Sequence, residues 1–447
     1  MELESLPPDV LILILSAAAT LEDLHALIRA SPTLYQIFRQ TKASTLLGIC
    51  ANQLGPAVRD AIILAHTNLH PFESRPAKQY RVRVDEVVDE WRRHLLAGNS
   101  QWLSRGVSVQ EAVQLVRINR AVQYLVDLYA QSRFHKFGQA FKRKYQPQQQ
   151  QSEPVTVGGT WKLSPAERHR LAQAFFRRQA ILDMYCVPGK PPLYNKNFFL
   201  SRVLGLFESW EMEQISQADS FAYWLCSAFR DCEMTPEGVV PTPEWWREVW
   251  LARHNAIMSA MNGGGALPDV PRSRYISDYY PRLLKLQRLV ADAAAADPAL
   301  VERLLQWAPV EEDRGVYGGL PYGPAYAFLH TSELLWSPSQ AAHPPPSPPS
   351  VPCNAASKLP LEAPWGWRDA VGDVRGDRWG VDLIVSPPDV LPGDLDWVGL
   401  VYDFATWRWE GFVFWDKDRI EALRHWGALG AAAHSGRLRP PWMQETA

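Results

Sequence analysis

Three helix-start signals follow one another within the first 38 residues, and this feature constrains the fold of the chain more than any other. A proline suits the first turn of a helix, and a hydroxyl or carboxylate there can accept hydrogen bonds from backbone N–H groups that have no partner in the helix. The pattern therefore predicts three helices in quick succession, the third of them short. The signals are Pro8 with Asp9, Thr20 with Asp23 in capping-box spacing, and Ser31 before Pro32.

These helices are too small a unit to bury all of their own apolar side chains. The first carries an unbroken apolar run from Val10 to Leu15, so it has no polar face. Either the rest of this chain covers the helices, or another protein lies across them. Burial of Val10, Leu11 and Ile14 against residues beyond 45 would favour the first alternative.

The segment from Leu6 to Phe38, LPPDVLILILSAAATLEDLHALIRASPTLYQIF, resembles the F-box. That pattern opens with Leu-Pro and an acid, continues in an apolar helix ending Ile-Leu-Ser, carries Asp-Leu in a second helix, and reaches a third helix after a serine. The matching positions are Leu6, Pro7, Asp9, Val10, Leu11, Ile14, Leu15, Ser16, Asp23, Leu24, Leu27 and Ser31. This stretch and a later one, GFVFWDKDRIEALRHWG at 411–427, are similar to sequences of filamentous-fungal F-box-like proteins.

F-box proteins dock their three-helix unit on the Skp adaptor of cullin-RING ubiquitin ligases, and the rest of the chain selects a substrate. The resemblance thus implies a substrate receptor with an unidentified protein substrate, and a docking surface that acts by burial alone. We therefore predict no enzyme activity, no catalytic residue, no cofactor and no metal. The expected adaptor-binding residues are Leu6, Pro7, Val10, Leu11, Ile14, Leu15, Leu24 and Leu27.

Two other functions stay open at this point. In the first alternative the same helices pack on the body of the chain, which is then a scaffold or interaction protein without a ligase partner. In the second the chain is an enzyme of an unrecognised family, since catalytic residues that only folding brings together leave no sequence motif.

Helical patterns dominate the remaining chain, which predicts a mainly α fold with an irregular helical body. We expect further helices at 164–186, 194–230, 243–260, 279–296 and 298–307. Strands near 379–385 and 398–415 would add minor β-structure. Two apolar stripes have helical spacing: Val84, Val87, Val88, Trp91 and Leu95, and Leu115, Ile118, Val122, Leu125 and Tyr129. The predicted domains are 1–45, the F-box-like motif; 46–336, the helical body; 337–360, a proline-rich linker; and 361–447, a Trp-rich segment.

Composition limits the partners and the compartment. The formal net charge is only −2, so no global field attracts nucleic acid or an anionic membrane. The basic and aromatic stretch 133–145 is interpreted as the end of an amphipathic helix, and nucleic acid is not expected as a partner. Five cysteines without paired spacing indicate a reducing compartment. We expect a soluble protein of the cytoplasm or nucleus with no membrane segment.

Overall fold

The computed structural model describes residues 3–69, 77–96, 107–145, 162–185, 282–306 and 412–425, and single positions between 203 and 229. Helices account for nearly all of these residues and no strand occurs among them, which confirms the mainly α fold. The α-helices are α1 (Pro8–Ser16), α2 (Leu21–Ala30), α3 (Pro32–Leu54), α4 (Val58–Leu69), α5 (Ala77–Leu96), α6 (Val109–Tyr145), α7 (Pro165–Tyr185), α8 (Leu283–Ala296), α9 (Pro298–Gln306) and α10 (Lys417–His425). Short 3-10 helices occupy Leu3–Ser5, Gly55–Ala57 and Phe412–Phe414.

Helices begin at all three of the helix-start signals in the first 38 residues, as the sequence predicts. Pro8 occupies the first turn of α1. Thr20 and Asp23 form a complete capping box on α2, with both hydrogen bonds at 3.0 Å. Ser31 caps α3 by accepting the Leu34 N–H at 3.2 Å, and the Ser31 hydroxyl also donates to Glu4. This second bond ties the first residues of the chain to the start of α3.

Helix α3 consists of two helical stretches joined by a kink, and the first of them is short, as the sequence predicts. The kink lies at Thr41, whose φ of −112° and ψ of 20° are not helical, and the second stretch continues to Leu54. The Thr41 hydroxyl donates to the Ile37 carbonyl at 2.9 Å, a local bond that competes with the helix backbone and bends it. The sequence carries no proline or glycine at this point, so no stop signal marks the kink.

Several predicted segments lie outside the described residues: the helix at 243–260, the strand at 379–385 and the linker at 337–360. Of the expected strand at 398–415, only 412–415 are described, and Phe412–Phe414 form a 3-10 helix instead. Val413, Phe414 and Trp415 are consecutive and all buried. A strand points successive side chains to opposite faces, so a turn of helix buries this run more readily.

The chain divides into two compact units. The N-terminal unit comprises Met1–Tyr124 and Ala172–Leu193. Within it, α1 and α2 both pack on α3, and α4 packs on α5. The predicted stripe on α5 faces the interior: Val84, Val87, Val88 and Trp91 are buried and Leu95 is partly buried.

The C-terminal unit comprises Leu125–Leu171 and Tyr194–Ala447. Here α8 packs on α9. Tyr129 of α6 makes edge-on ring contacts with Phe221 and Phe414, at centroid distances of 5.1 Å and 5.7 Å. The aromatic residues Phe414 and Trp415 therefore belong to an apolar core.

Candidate functional site

Helix α1 has two apolar faces with different environments. Leu11 and Leu15 lie one turn apart and are 1% and 0% exposed. Val10 and Leu13, on the other side of the helix, are 39% and 68% exposed. A helix that is apolar all round is normally buried all round, so the exposed side of α1 is a candidate contact surface for a partner.

The buried face of α1 belongs to an apolar cluster that includes residues far outside the F-box-like segment. Its buried members are Leu11, Leu15, Ala18, Leu24, Leu34, Leu46, Ile49 and Ala112. Partly buried side chains packed against it include Leu6, Ile14, Leu27, Val107 and Val116. We call this set the N-terminal apolar cluster. Since Leu46, Ile49 and Ala112 lie beyond residue 45, the chain itself covers one face of α1.

The eight predicted adaptor-binding residues therefore fall into three groups. Leu11, Leu15 and Leu24 are buried in the cluster. Leu6, Ile14 and Leu27 are partly buried against it. Pro7 and Val10 are exposed. The exposed Leu13 was not among the predicted residues, and only its place in the unbroken apolar run could have pointed to it.

Helix α1 is held on α3 by close backbone approach as well as by apolar packing. A Cβ atom on Gly48 would lie 3.2 Å from the Ser16 Cβ atom and 3.3 Å from the Ser16 carbonyl oxygen. Asn52 donates from Nδ2 to that same carbonyl at 3.0 Å. Ser16 ends the Ile-Leu-Ser element, so these contacts fix the orientation of the helix that carries Val10 and Leu13.

The buried thiol of Cys50 in α3 has low reactivity. Cys50 of α3 is fully buried, and burial raises the pKa of its thiol to about 12 despite a hydrogen bond with Asn119. A thiol with so high a pKa carries almost no thiolate at neutral pH and is a poor nucleophile. Cys50 is therefore a packing residue.

One network of buried polar groups in the N-terminal unit surrounds Asp60. Its Oδ1 accepts the Trp91 Nε1–H at 2.6 Å, and its Oδ2 accepts Gln173 Nε2 at 2.8 Å and Arg177 Nε at 3.2 Å. Asp60 and Arg177 are both buried. Both carboxylate oxygens of Asp60 accept hydrogen bonds from protein groups. This favours a structural role for Asp60.

A second buried charge network lies in the C-terminal unit around Glu167. Its Oε1 accepts Arg419 Nε at 2.7 Å and the Asp416 N–H at 3.0 Å. Its Oε2 accepts Arg419 Nη2 at 2.6 Å and the Ser164 N–H at 3.0 Å. With two donors on each oxygen, this carboxylate holds α10 against the start of α7 and has little capacity left for a substrate.

No protein family, no curated protein and no solved structure matches the chain. Among the described residues, no group of three or more His, Cys, Asp or Glu side chains could hold a metal ion. Within the same ranges, no helix combines the length and the apolar content that crossing a membrane requires.

We expect alanine substitutions on the two faces of α1 to differ greatly in their effect on stability. Leu11→Ala should lower the free energy of unfolding by about 2–5 kcal/mol, because it opens a cavity in the N-terminal apolar cluster. Leu13→Ala should change it by less than about 0.5 kcal/mol, because that side chain is exposed. Urea denaturation followed by circular dichroism measures both. Equal losses would show that Leu13 is also a core residue.

Proposed function

We propose that this chain is an F-box-type interaction protein that binds the Skp adaptor of a cullin-RING ubiquitin ligase. In this proposal the first three helices dock on the adaptor, and the rest of the chain recruits a protein substrate. Such a protein works in the cytoplasm or the nucleus, where the ligase acts. The proposal assigns no catalysis to the chain.

The exposed apolar face of α1 is the observation that carries the proposal. Val10 and Leu13 lie next to each other on the helix surface, three residues apart. Pro7 is exposed just before them. Exposed aliphatic side chains on a rigid helix favour docking, because burying them against a partner removes apolar surface from water without ordering a loop.

The F-box-like segment also has its three helices fixed by specific contacts. Capping bonds begin α2 and α3, the Asn52 side chain holds the end of α1, and the Ser31 hydroxyl binds Glu4. A surface fixed in this way loses little conformational entropy on binding. This supports a docking role for these helices.

A scaffold protein without a ligase partner is the second candidate, and the burial of Leu11 favours it. Leu11 and Leu15 share the N-terminal apolar cluster with Leu46, Ile49 and Ala112, so the body of the chain does cover part of the segment. Val10 does not support this alternative, since it is 39% exposed. Ile14 is intermediate between the buried Leu11 and the exposed Val10, because its side chain is partly buried against the cluster.

Capture of the 447-residue chain on the purified Skp adaptor tests the proposal. The variant should carry Val10→Asp and Leu13→Asp, because Leu11→Asp would place a charge in the core and unfold the unit. The matched control is Val82→Asp on α5, where the native side chain is 59% exposed. Circular dichroism confirms that each protein is folded.

We expect the adaptor to capture the wild type and the Val82→Asp control, and to bind the Val10→Asp, Leu13→Asp variant at least about tenfold more weakly. Failure of the adaptor to capture the wild type would contradict the proposal and favour the scaffold. Equal capture of all three proteins would show that α1 is not the docking surface.

A further inference from the structure

His66 of α4 lies between two charged side chains that belong to two other helices of the N-terminal unit. Its Nδ1 atom is 3.1 Å from Oε1 of Glu111 in α6. Its Nε2 atom contacts Nη2 of Arg83 in α5. All three side chains are mostly buried. Through this one imidazole ring, α4 is therefore bonded to both α5 and α6.

The two neighbours of His66 decide which ring nitrogen carries the hydrogen. A guanidinium group has donors and no acceptor, so Arg83 donates to Nε2, and Nε2 itself carries no hydrogen. A carboxylate only accepts, so Nδ1 carries the hydrogen and donates it to Glu111. This pair of bonds requires a neutral imidazole, because a protonated ring has a hydrogen on both nitrogens.

Glu111 is ionised at every pH at which a histidine changes its charge. Burial raises the pKa of Glu111, but the hydrogen bonds with His66 and Ser108 outweigh burial and bring the pKa below its ordinary value of 4.5. A carboxyl group with a lowered pKa stays ionised until the pH falls through that pKa. Histidine changes its charge between about pH 8 and about pH 5. The Glu111 carboxylate therefore accepts from His66 throughout that range.

In the described part of the N-terminal unit, charges on the other elements packed against α4 are directed elsewhere. Residues 43–54 of α3 and the 3-10 helix Gly55–Ala57 contain no charged residue. On α4 itself, Arg59 donates to a backbone carbonyl of α5 at 3.5 Å, and Asp60 accepts from α7. The charge of His66 therefore acts mainly on Arg83 and Glu111.

We infer that His66 is a pH-sensitive latch that joins α4, α5 and α6 at neutral pH and releases α5 in acid. When Nε2 gains a proton it becomes a donor and no longer accepts from Arg83, so that two cations face each other. The bond from Nδ1 to Glu111 then joins opposite charges and becomes stronger. Arg83 keeps a second partner on its own helix, Glu86, which accepts from Nη1 at 3.1 Å.

Protonation thus changes His66 from a bridge between α5 and α6 into a partner of α6 alone. The latch acts inside the N-terminal unit, because all three helices belong to it. This inference goes beyond the proposed function and does not depend on adaptor binding.

Urea unfolding of the 447-residue chain with Arg83→Met, in two backgrounds, tests the latch. Methionine keeps an apolar stem and removes the guanidinium donors. At about pH 7.5 the substitution should raise the equilibrium constant for unfolding about fivefold, because it removes the hydrogen bond to His66. At about pH 5.5 it should leave that constant unchanged or lower it, because it removes the cation that faces the protonated ring. In the His66→Ala background, Arg83→Met should have the same effect at both pH values.

Glu111→Gln is the matched variant with the opposite pH response. Glutamine keeps a carbonyl acceptor and nearly the same shape, but it lacks the charge. Its destabilising effect should therefore be larger at about pH 5.5, where His66 is cationic, than at about pH 7.5. An effect that is larger at the higher pH would contradict the strengthened bond to α6.

Heteronuclear NMR of the wild type, labelled at its histidine nitrogens, measures the hydrogen positions without relying on a destabilised variant. The difference from the spectrum of His66→Gln identifies the ring. We expect a hydrogen on Nδ1 and none on Nε2 at about pH 7.5. The inference is overturned if the hydrogen lies on Nε2 instead. It is also overturned if Arg83→Met has the same effect at both pH values while His66 is present.

Discussion

Replacing Asp60 with alanine should lower the free energy of unfolding of the N-terminal unit by about 3–5 kcal/mol. The substitution removes the carboxylate that faces the Nε atom of the buried Arg177 at 3.2 Å. It also removes the acceptor of Trp91 Nε1–H and of Gln173 Nε2. Removing one partner of a buried ion pair costs far more than the pair gains when it is intact.

The control for this effect is Asp89→Ala on α5. Asp89 pairs with Arg92 at 3.1 Å, but both side chains are exposed, so the loss should be below about 1 kcal/mol. Asp60→Asn should fall between the two, because the amide keeps one acceptor oxygen but not the charge. Urea unfolding followed by circular dichroism gives the three values. If Asp60→Ala and Asp89→Ala unfold at the same urea concentration, Asp60 does not stabilise the unit as we describe.

Replacing Arg419 with alanine should have an effect of similar size, about 3–5 kcal/mol, in the C-terminal unit. The Glu167 carboxylate is buried and receives two of its four hydrogen bonds from Arg419. The same arginine donates to the Lys162 carbonyl at 2.8 Å. Its loss should therefore release α10 from the start of α7 as well as lower the unfolding free energy. Trypsin cleavage after Lys417 should become faster.

Lys417→Ala is the matched control for the unfolding measurement. Lys417 pairs with Glu421 at 3.4 Å, and both side chains are exposed on α10. Its unfolding free energy should stay within about 0.5 kcal/mol of the wild type. A double-mutant cycle with Glu167→Gln then isolates the pair, since neutralising Glu167 removes the charge that Arg419→Ala leaves uncompensated. A strictly additive cycle would show that the two side chains do not interact.

The parts of the fold that depend on local chemistry were predictable from the sequence. Capping at Thr20 and Ser31 follows from hydroxyl and proline chemistry within a few residues, and the structure confirms it. The α5 stripe from Val84 to Trp91 follows from the helical period. The limits of α7 lie within one residue of the predicted 164–186, because Ser164 and Pro165 start the helix clearly.

The candidate site was only partly predictable, for a specific reason. An unbroken apolar run has no preferred face, so the sequence of α1 cannot tell the buried Leu11 from the exposed Leu13. Which face of α1 is buried depends on the residues of other helices that pack against it, including Ile49 of α3 and Ala112 of α6. Those contacts are tertiary, and no local pattern encodes them. The adaptor-binding role of the eight residues stays a prediction.

The buried ion pairs were not predictable from spacing at all. Arg419 lies 252 residues from Glu167, and Arg177 lies 117 residues from Asp60. Each carboxylate by itself resembles an ordinary surface acid in the sequence. Only the tertiary fold determines which of the many acids and arginines form ion pairs in the interior.

The N-terminal unit is built from two stretches of chain, and residues 125–171 between them belong to the other unit. The two stretches of the N-terminal unit are therefore synthesised at different times. A ribosome adds about 5–20 residues per second, so Asp60 is made about 6–23 s before Arg177, the arginine that pairs with it. Until α7 leaves the ribosome tunnel, Asp60 of α4 and Tyr80 of α5 lack the hydrogen-bond partners that α7 supplies. A nascent chain that stops before residue 172 therefore has an F-box-like segment but no complete unit to carry it.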